Sequence, residues 1–424
     1  GIITIIIGCV GRMVAMKISK LTKLTGYSRN TIQYYTRIGL LMPLQKGADH
    51  DYTQREVDDL AYIEKLKAMS FSIKDIQAII RLKRLSNWHE PATRESFKTL
   101  LDSQKNKVQE RIINLEKALQ CIEEEKENLL KIQDRPIRLG IPISAVGLLA
   151  CPHCHNSLHL SNAEITYPYI FNGQLSCECG YQAAIIDGII DTGNRYGGFH
   201  DSPDLDRHLY EGMPDEFYKY FHKIADSHVQ TLNHMDLSGK VVMENRVNGY
   251  FFLYNHFKDL NNDCTYIITD KYLEIIQAYK ERIERLGLPL NMVMIADNSM
   301  KFPLREKSVD VMISFFAGGE HQLYEEKSLA EEMQPYFKKM HQILGADICY
   351  ERNSQSIKAL HHKYPEGSCL TFIDGYTEKN LTSLGYKVNT QKLGTLYDTP
   401  DVFAFEAHKT GEPLYMEYYF STRS

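Results

Sequence analysis

No stretch of this 424-residue chain approaches the ~20 consecutive apolar residues that a membrane-spanning helix needs. The conspicuous early apolar run, Ile2–Ile7, lacks the basic flank of a secretory signal and is far too short to cross a bilayer. Gly1–Ala15 reads as an upstream leftover, with Met16 as the natural beginning. A secreted disulfide framework is also missing: four of the nine cysteines cluster as two close pairs, which favours a metal site in a reducing cell. These absences predict a cytoplasmic protein with no membrane partner.

What is present is ordinary globular composition, 43% apolar and 24% charged, in a chain long enough for roughly two to four domains. The net charge of −5 hides an asymmetry. Residues 16–90 carry 13 Lys+Arg against 8 Asp+Glu, whereas residues 91–424 sum to −11. A locally basic module on an acidic body suits one face meeting a polyanion.

That module holds the clearest signal. Ile18, Leu21 and Leu24 make an amphipathic turn of helix that reaches a Gly26-centred turn, and a second helix starts behind Ser28, a good N-cap. Helix, tight turn and helix make a helix-turn-helix, whose second helix can lie in a DNA major groove. Leu41–Leu44 then leads into a polar loop containing Gly47 that returns at Tyr52, as a small wing would, and helices follow over Glu56–Met69 and Ser72–Leu85. The string Ser28-Arg29-Asn30-Thr31-Ile32-Gln33-Tyr34-Tyr35-Thr36-Arg37-Ile38-Gly39-Leu40-Leu41 resembles the MerR family of transcription regulators. The resemblance implies a homodimer on promoter double-stranded DNA, working with RNA polymerase and switched by a small-molecule effector. Ser28, Arg29, Asn30, Gln33, Tyr34 and Arg37 are the expected reading-helix contacts, with Lys46 and Tyr52 on phosphates, contacts that position rather than specify. Family members usually carry Arg where this chain has Gln33 and before the wing tyrosine, where it has His50-Asp51; Gln33 can still read adenine. One of Tyr34 and Tyr35 is expected to pack and the other to reach the DNA backbone.

With Pro91 as a breaker, the pattern then changes to heptads: Leu101, Val108, Leu115, Ile122 and Leu129, with Ile112 and Leu119 interleaved. Such a seam over residues 97–132 predicts a dimerising helix. Cys151-Pro152-His153-Cys154 and Cys177-Glu178-Cys179 follow. Two thiolate pairs on tight knuckles are what a tetrahedral Zn2+ site needs, closed by four protein ligands and hence structural. The pair resembles the zinc ribbons that accompany methyltransferases. Its second knuckle is Cys-x-Cys rather than Cys-x-x-Cys, which leaves His153, His155 or His159 as alternatives to one thiolate.

From residue 196 strands and helices alternate: strands over Val241–Met243, Cys264–Thr269, Met292–Ala296, Val309–Phe316, Ile348–Arg352, Lys387–Lys392 and Val402–His408, and helices over Leu273–Leu286 and near Ala330–Leu344. The order predicts an open α/β sheet with a ligand beyond the carboxyl ends of its strands. Ile295–Ser314 resembles the corresponding run of class I S-adenosylmethionine methyltransferases. That resemblance implies a cofactor site at Glu244, Asn248, Gly249, Asp270 and Asp297, with Asp270 on the ribose diol and Asp297 on the adenine. Where the family has small residues, this chain places Arg246 and Val247, which crowd the methionine end.

The fold expected is therefore multidomain: an all-α winged helix-turn-helix with a coiled-coil helix, a small zinc ribbon and an α/β Rossmann-like methyltransferase fold. The boundaries fall at 16–90, 91–133, 134–195 and 196–424. The functional expectation is a dimeric DNA-binding regulator whose C-terminal domain senses S-adenosylmethionine or another small molecule without catalysis, so that no catalytic residue is named. An active methyltransferase, acting on rRNA for example, and a purely structural domain with an empty pocket are the competing readings. Tyr250, Phe251, Phe252, Phe315 and Phe316 are candidate lining for an apolar pocket as well as core, and Glu320–His321 is a candidate acid–base pair.

Overall fold

The computed structural model describes residues 15–46, 49–86, 89–131, 136–198, 201–206, 212–399 and 407–423. The chain divides into two compact units, Gly1–Gln133 and Asp134–Ser424.

In the first unit, α1 (Ile18–Thr25) ends at Gly26, whose φ of +75° closes the helix by an N–H donated to the Thr22 carbonyl. A left-handed residue there is cheap only for glycine. Ser28 caps α2 (Arg29–Arg37), its hydroxyl accepting from the Thr31 amide at 3.1 Å. β1 (Leu44–Lys46) and β2 (Asp49–Asp51) pair antiparallel as the wing. A Thr53–Glu56 capping box starts α3 (Gln54–Ala68), and Ser72 caps α4 (Ile73–Leu85). Ile32, Tyr35, Leu40, Tyr52, Ile63 and Ile76 share one core with Leu21. Arg84 reaches back to the Gly39 and Leu40 carbonyls and to Asp59, 2.7 Å away, fixing the turn that follows α2. Pro91 proves to be the first residue of α5 (Pro91–Lys131) rather than a breaker before it, a position where its missing N–H is harmless. Phe97 and Leu101 of α5 pack on the core, and Gln104 donates to the Met69 and Ser70 carbonyls.

The second unit is built on one sheet. β3 (Ile141–Pro142), β4 (His159–Thr166), β5 (Tyr169–Ser176), β6 (Gln182–Ile186) and β7 (Ile189–Asp191) carry the cysteine knuckles. The 20-residue α6 (Asp215–His234) leads to β8 (Val241–Asn245), α7 (Phe252–His256), β9 (Thr265–Asp270), α8 (Leu273–Arg285) and β10 (Asn291–Ala296). Then come β11 (Val309–Phe315), α9 (Ala317–Gln322), α10 (Leu329–Glu332), β12 (Phe337–Tyr350), α11 (Gln355–Lys363), α12 (Tyr376–Ser383), β13 (Lys387–Leu396) and β14 (Leu414–Arg423). The spatial order is β13-β14-β12-β11-β8-β9-β10-β7-β6-β5-β3, with β4 on β5. The cysteine-bearing strands thus join the α/β sheet, through parallel pairing of β7 with β10. Strands β10, β9, β8, β11 and β12 run parallel and β14 returns antiparallel between β12 and β13. This is the doubly wound order, and it puts a topological switch point between β8 and β11, where a ligand crevice is expected.

One expectation needs correction, and another falls outside the described residues. The helix near Ala330–Leu344 is only the four-residue α10; from Phe337 the chain is a 14-residue strand, because pairing on both edges fixes its backbone as extended. The strand over Val402–His408 falls largely on residues 401–406, outside the described residues, and the last strand is β14 further on.

Candidate functional site

Three places carry chemistry. On α2, Ile32 and Tyr35 face the core while Arg29, Asn30, Gln33, Tyr34 and Arg37 are exposed. Those five positions recur at i, i+1, i+4, i+5 and i+8 and so share one helix face. The Arg37 guanidinium lies 5.5 Å from the centre of the Tyr34 ring, which stiffens both against the rotamer freedom they would lose on binding. Tyr52 corrects the expectation made for it. It is 1% exposed, its backbone bridges Met16, and its hydroxyl lies beside that of Thr36, so it braces the wing from within the core. Lys46 ends β1, but its side chain lies outside the described residues, as does Gly47.

The four cysteines converge. The sulfurs of Cys151, Cys154, Cys177 and Cys179 all lie within 4.8 Å of one another, with 3.4 Å between Cys151 and Cys179 and between Cys154 and Cys177. Zinc–thiolate bonds of ~2.3 Å in a tetrahedron put sulfurs about 3.8 Å apart. Tight knuckles set this spacing: His155 N–H donates to the Cys151 carbonyl and Gly180 N–H to that of Cys177. Burial pushes the Cys151 thiol up, but amide donors from Cys154 and His153 outweigh it and bring the thiol down to about 7, toward the thiolate that binds metal. His153 stacks edge-on against Tyr181 and His155 faces Glu306 at 3.5 Å. Among the described residues the four-cysteine group is complete without a histidine.

The third place is the switch-point crevice. Glu244, at the end of β8, is fully buried and accepts the Phe252 and Leu253 amides at 2.7 and 2.9 Å, capping α7. Burial raises it to about 8 against the pull of those two donors. Asp270, ending β9, accepts from Asn248 N–H at 2.8 Å and from Tyr272 N–H at 2.9 Å. Burial lifts it to about 6, opposed by the Tyr272 amide and by Lys271. Asp297 accepts from Thr192 and Asn194 on one oxygen and from the Ser299 amide and hydroxyl on the other. All three carboxylates expected to serve a cofactor are therefore occupied by the protein's own donors. The left-handed residue in the loop is not Asn248 or Gly249 but Arg246, at φ +53°. At Gly249 a Cβ would stand 3.2 Å from the Glu320 carboxylate, a tight contact that would press on that side chain. Val247 is fully buried in the apolar core, as are Phe251, Phe252 and Phe315.

Residues that sequence reasoning did not single out complete the crevice. Lys271 has a 1% exposed side chain whose ammonium lies 2.5 Å from Asp201 and 3.4 Å from Glu320. The rings of Tyr196, Tyr272 and Tyr324 surround it at 4.5–5.3 Å. Burial raises Glu320 to about 7, with Lys271 opposing. His321 is pushed well below its usual value, first by burial and then by Arg246 and Lys271. It is thus a neutral imidazole, whose Nδ1 accepts from Arg246 Nε at 3.1 Å. Glu320 and His321 do meet the same crevice, but through separate partners, not as an acid–base pair. A cavity of about 190 Å³ remains, lined by Tyr196, Gly198, Arg246, Asn298, Tyr324, Glu325 and Glu366. The available signal for Lys271 and Asn298 was position, each directly following an acid that ends a strand.

Comparison with known proteins places these features. Residues 16–83 match the MerR HTH family regulatory proteins. Over 81 residues the chain is 32% identical to the HTH-type transcriptional regulator CueR of Vibrio cholerae, covering 19% of this chain and 58% of that one. It is 26% identical over 133 residues to the ZntR homolog of Haemophilus influenzae, covering 31% of this chain and 96% of that one. The chain thus spans about 58% of the length of the first relatives it matches. Its N-terminal domain is a MerR helix-turn-helix. Solved structures similar to the second unit include a SAM-dependent methyltransferase from Aquifex aeolicus, 13% identical over 52% of this chain and 99% of that one, TM-score 0.34. Another is a geranyl diphosphate methyltransferase in complex with SAM, 10% identical over 55% and 99%, TM-score 0.37. The strand order of the second unit makes it a mixed α/β sheet.

Proposed function

We propose that this chain is a homodimeric transcription regulator that binds promoter DNA through α2 and wing and senses a small molecule in its C-terminal unit without methyl transfer. The observation that carries the DNA reading is the exposed row Arg29, Asn30, Gln33, Tyr34 and Arg37 on a helix held by a buried opposite face. Arg29 and Gln33 read base edges; Ser28, Asn30, Tyr34, Arg37 and Lys46 set the register on phosphates. Dimerisation runs through α5, where Ile112, Leu115, Leu119, Ile122 and Leu129 are exposed at heptad spacing and need a second copy to cover them. RNA polymerase is the partner at the promoter, and the cell interior is where both operate. The cysteine cluster holds one structural Zn2+, since its four thiolates leave no open coordination position.

Against catalysis stands the crevice itself. Its carboxylates already accept backbone amides and hydroxyls, and buried Arg246 and Val247 stand in the loop where the methionine end of an adenosyl ligand would lie. Footprinting on promoter DNA tests the DNA reading. Arg29→Ala and Gln33→Ala should each cost roughly 1–3 kcal/mol of base discrimination, and sequence-selective binding retained by the double variant would overturn it. Calorimetry with S-adenosylmethionine and S-adenosylhomocysteine should give weak binding or none; tight binding of both with methyl transfer to rRNA would establish the enzyme instead.

A further inference from the structure

We infer that the switch-point cavity takes a small zwitterion of the free α-amino-acid class, with its carboxylate on Arg246 and its ammonium on Glu325. This rests on the sensor reading above and names its ligand.

Arg246 is 5% exposed, and its described side-chain hydrogen bond runs from Nε to His321. Both terminal amino groups stay uncommitted among the described residues, in a side chain that lines the cavity. A buried guanidinium with its fork of donors unspent is a receptor for a carboxylate, which it grips in two parallel bonds. Neutral His321 keeps that fork in place, because its Nδ1 can only accept. The same cavity presents the Glu325 carboxylate and the Asn298 amide, neither engaged by another described side chain. A simple anion bound at Arg246 would share the cavity with the Glu325 and Glu366 carboxylates. A simple cation bound at Glu325 would face Arg246. One small molecule carrying both charges partners Arg246 and Glu325 together, while Glu366 on the same wall has a partner within the fold.

Size and lining agree. The cavity of about 190 Å³ has room for an amino acid. The rings of Tyr196 and Tyr324, 5.6 Å apart and tilted, form the apolar wall on which the ligand's carbon atoms lie.

The full chain is screened by thermal shift and then calorimetry against the proteinogenic L-amino acids one at a time. Each hit is repeated as its N-acetyl derivative and as its decarboxylated amine. The expected result is that at least one amino acid binds, both derivatives fail, and Glu325→Gln and Arg246→Gln each weaken binding by roughly tenfold or more. Glu325 is half-exposed, so its variant decides the matter where the buried Arg246 variant fails to fold. No amino acid binding, a derivative binding as well as its parent, or Glu325→Gln binding at the parental affinity each overturns the assignment. Promoter affinity measured with the same hit separates the two readings. Binding with unchanged DNA affinity overturns the sensor and leaves the ligand class. A DNA response to other metabolites with no amino acid bound overturns the ligand class and leaves the sensor.

Discussion

Replacing Lys271 by Met keeps the stem's bulk and removes the charge at the centre of the crevice. The ammonium lies 2.5 Å from Asp201 and 3.4 Å from Glu320 on a side chain 1% exposed, so its loss leaves two largely buried carboxylates without their cation. Breaking a buried charge cluster on one side typically costs ~3–5 kcal/mol. Glu320 supplies a partial escape. Burial already holds it at about 7 in the fold, with Lys271 the largest opposing influence, and without that lysine it rises further. An acid raised in the fold favours the folded state at low pH and loses that contribution as pH climbs through its folded value. The penalty of the variant should therefore be fullest at pH 8 and smaller at pH 6, where Glu320 takes up a proton. At roughly 2–4 °C per kcal/mol, the melting temperature of the second unit should fall by roughly 6–20 °C at pH 8, followed by near-UV circular dichroism. A fall worth less than ~1 kcal/mol, or the same fall at pH 6 and pH 8, would refute the account of an internally charged and sealed crevice.

Three further outcomes are expected. Protein purified without chelator should carry one zinc per chain, and Cys154→Ser should lose it, whereas Cys121→Ser, on an exposed face of α5, should not; metal analysis decides. Leu115→Glu with Leu119→Glu, at positions 56% and 62% exposed, should give a monomer in analytical ultracentrifugation with unit 1 still helical. Asp347 is held by burial at about 7, against 3.8 in an open chain, so its contribution is full below about pH 4 and falls as pH rises through 7. Asp347→Asn should therefore gain on the parent by about 4 kcal/mol between pH 4 and pH 8, read from urea midpoints, and a pH-independent difference would contradict it.

What was legible in the chain was local. Gly26 and Ser28 announce the turn and cap of the reading helix because capping is decided within four residues. The cysteine knuckles and the heptads of α5 are short-range patterns as well. The run Phe337–Tyr350 misled because its first half, with Lys338, Lys339, His341 and Gln342, carries no alternation; β11 on one edge and β14 on the other make it a strand. The crevice was half legible. Glu244, Asp270 and Asp297 were found from their places at strand ends, but their occupancy depends on donors such as Thr192, more than 100 positions from Asp297, which only the folded sheet brings near. Asp201 and Tyr196, from the β7–α6 connection, meet Tyr324, more than 100 positions on, with no spacing that announces the match.

Arg246 joins the failures of the sequence reading to its successes. The sequence shows it as bulk where related loops carry small residues, and the structure places it in the left-handed region, lining the cavity. A left-handed backbone costs an ordinary residue roughly 1–2 kcal/mol and persists only where the surroundings fix it. Here the Arg246 amide donates to the Thr269 carbonyl at 2.9 Å and the side chain is tied to His321. That left-handed backbone holds the guanidinium where it lines the cavity. A loop that had merely decayed would have no reason to keep a buried cation in a strained conformation, with a neutral imidazole shaped to receive it.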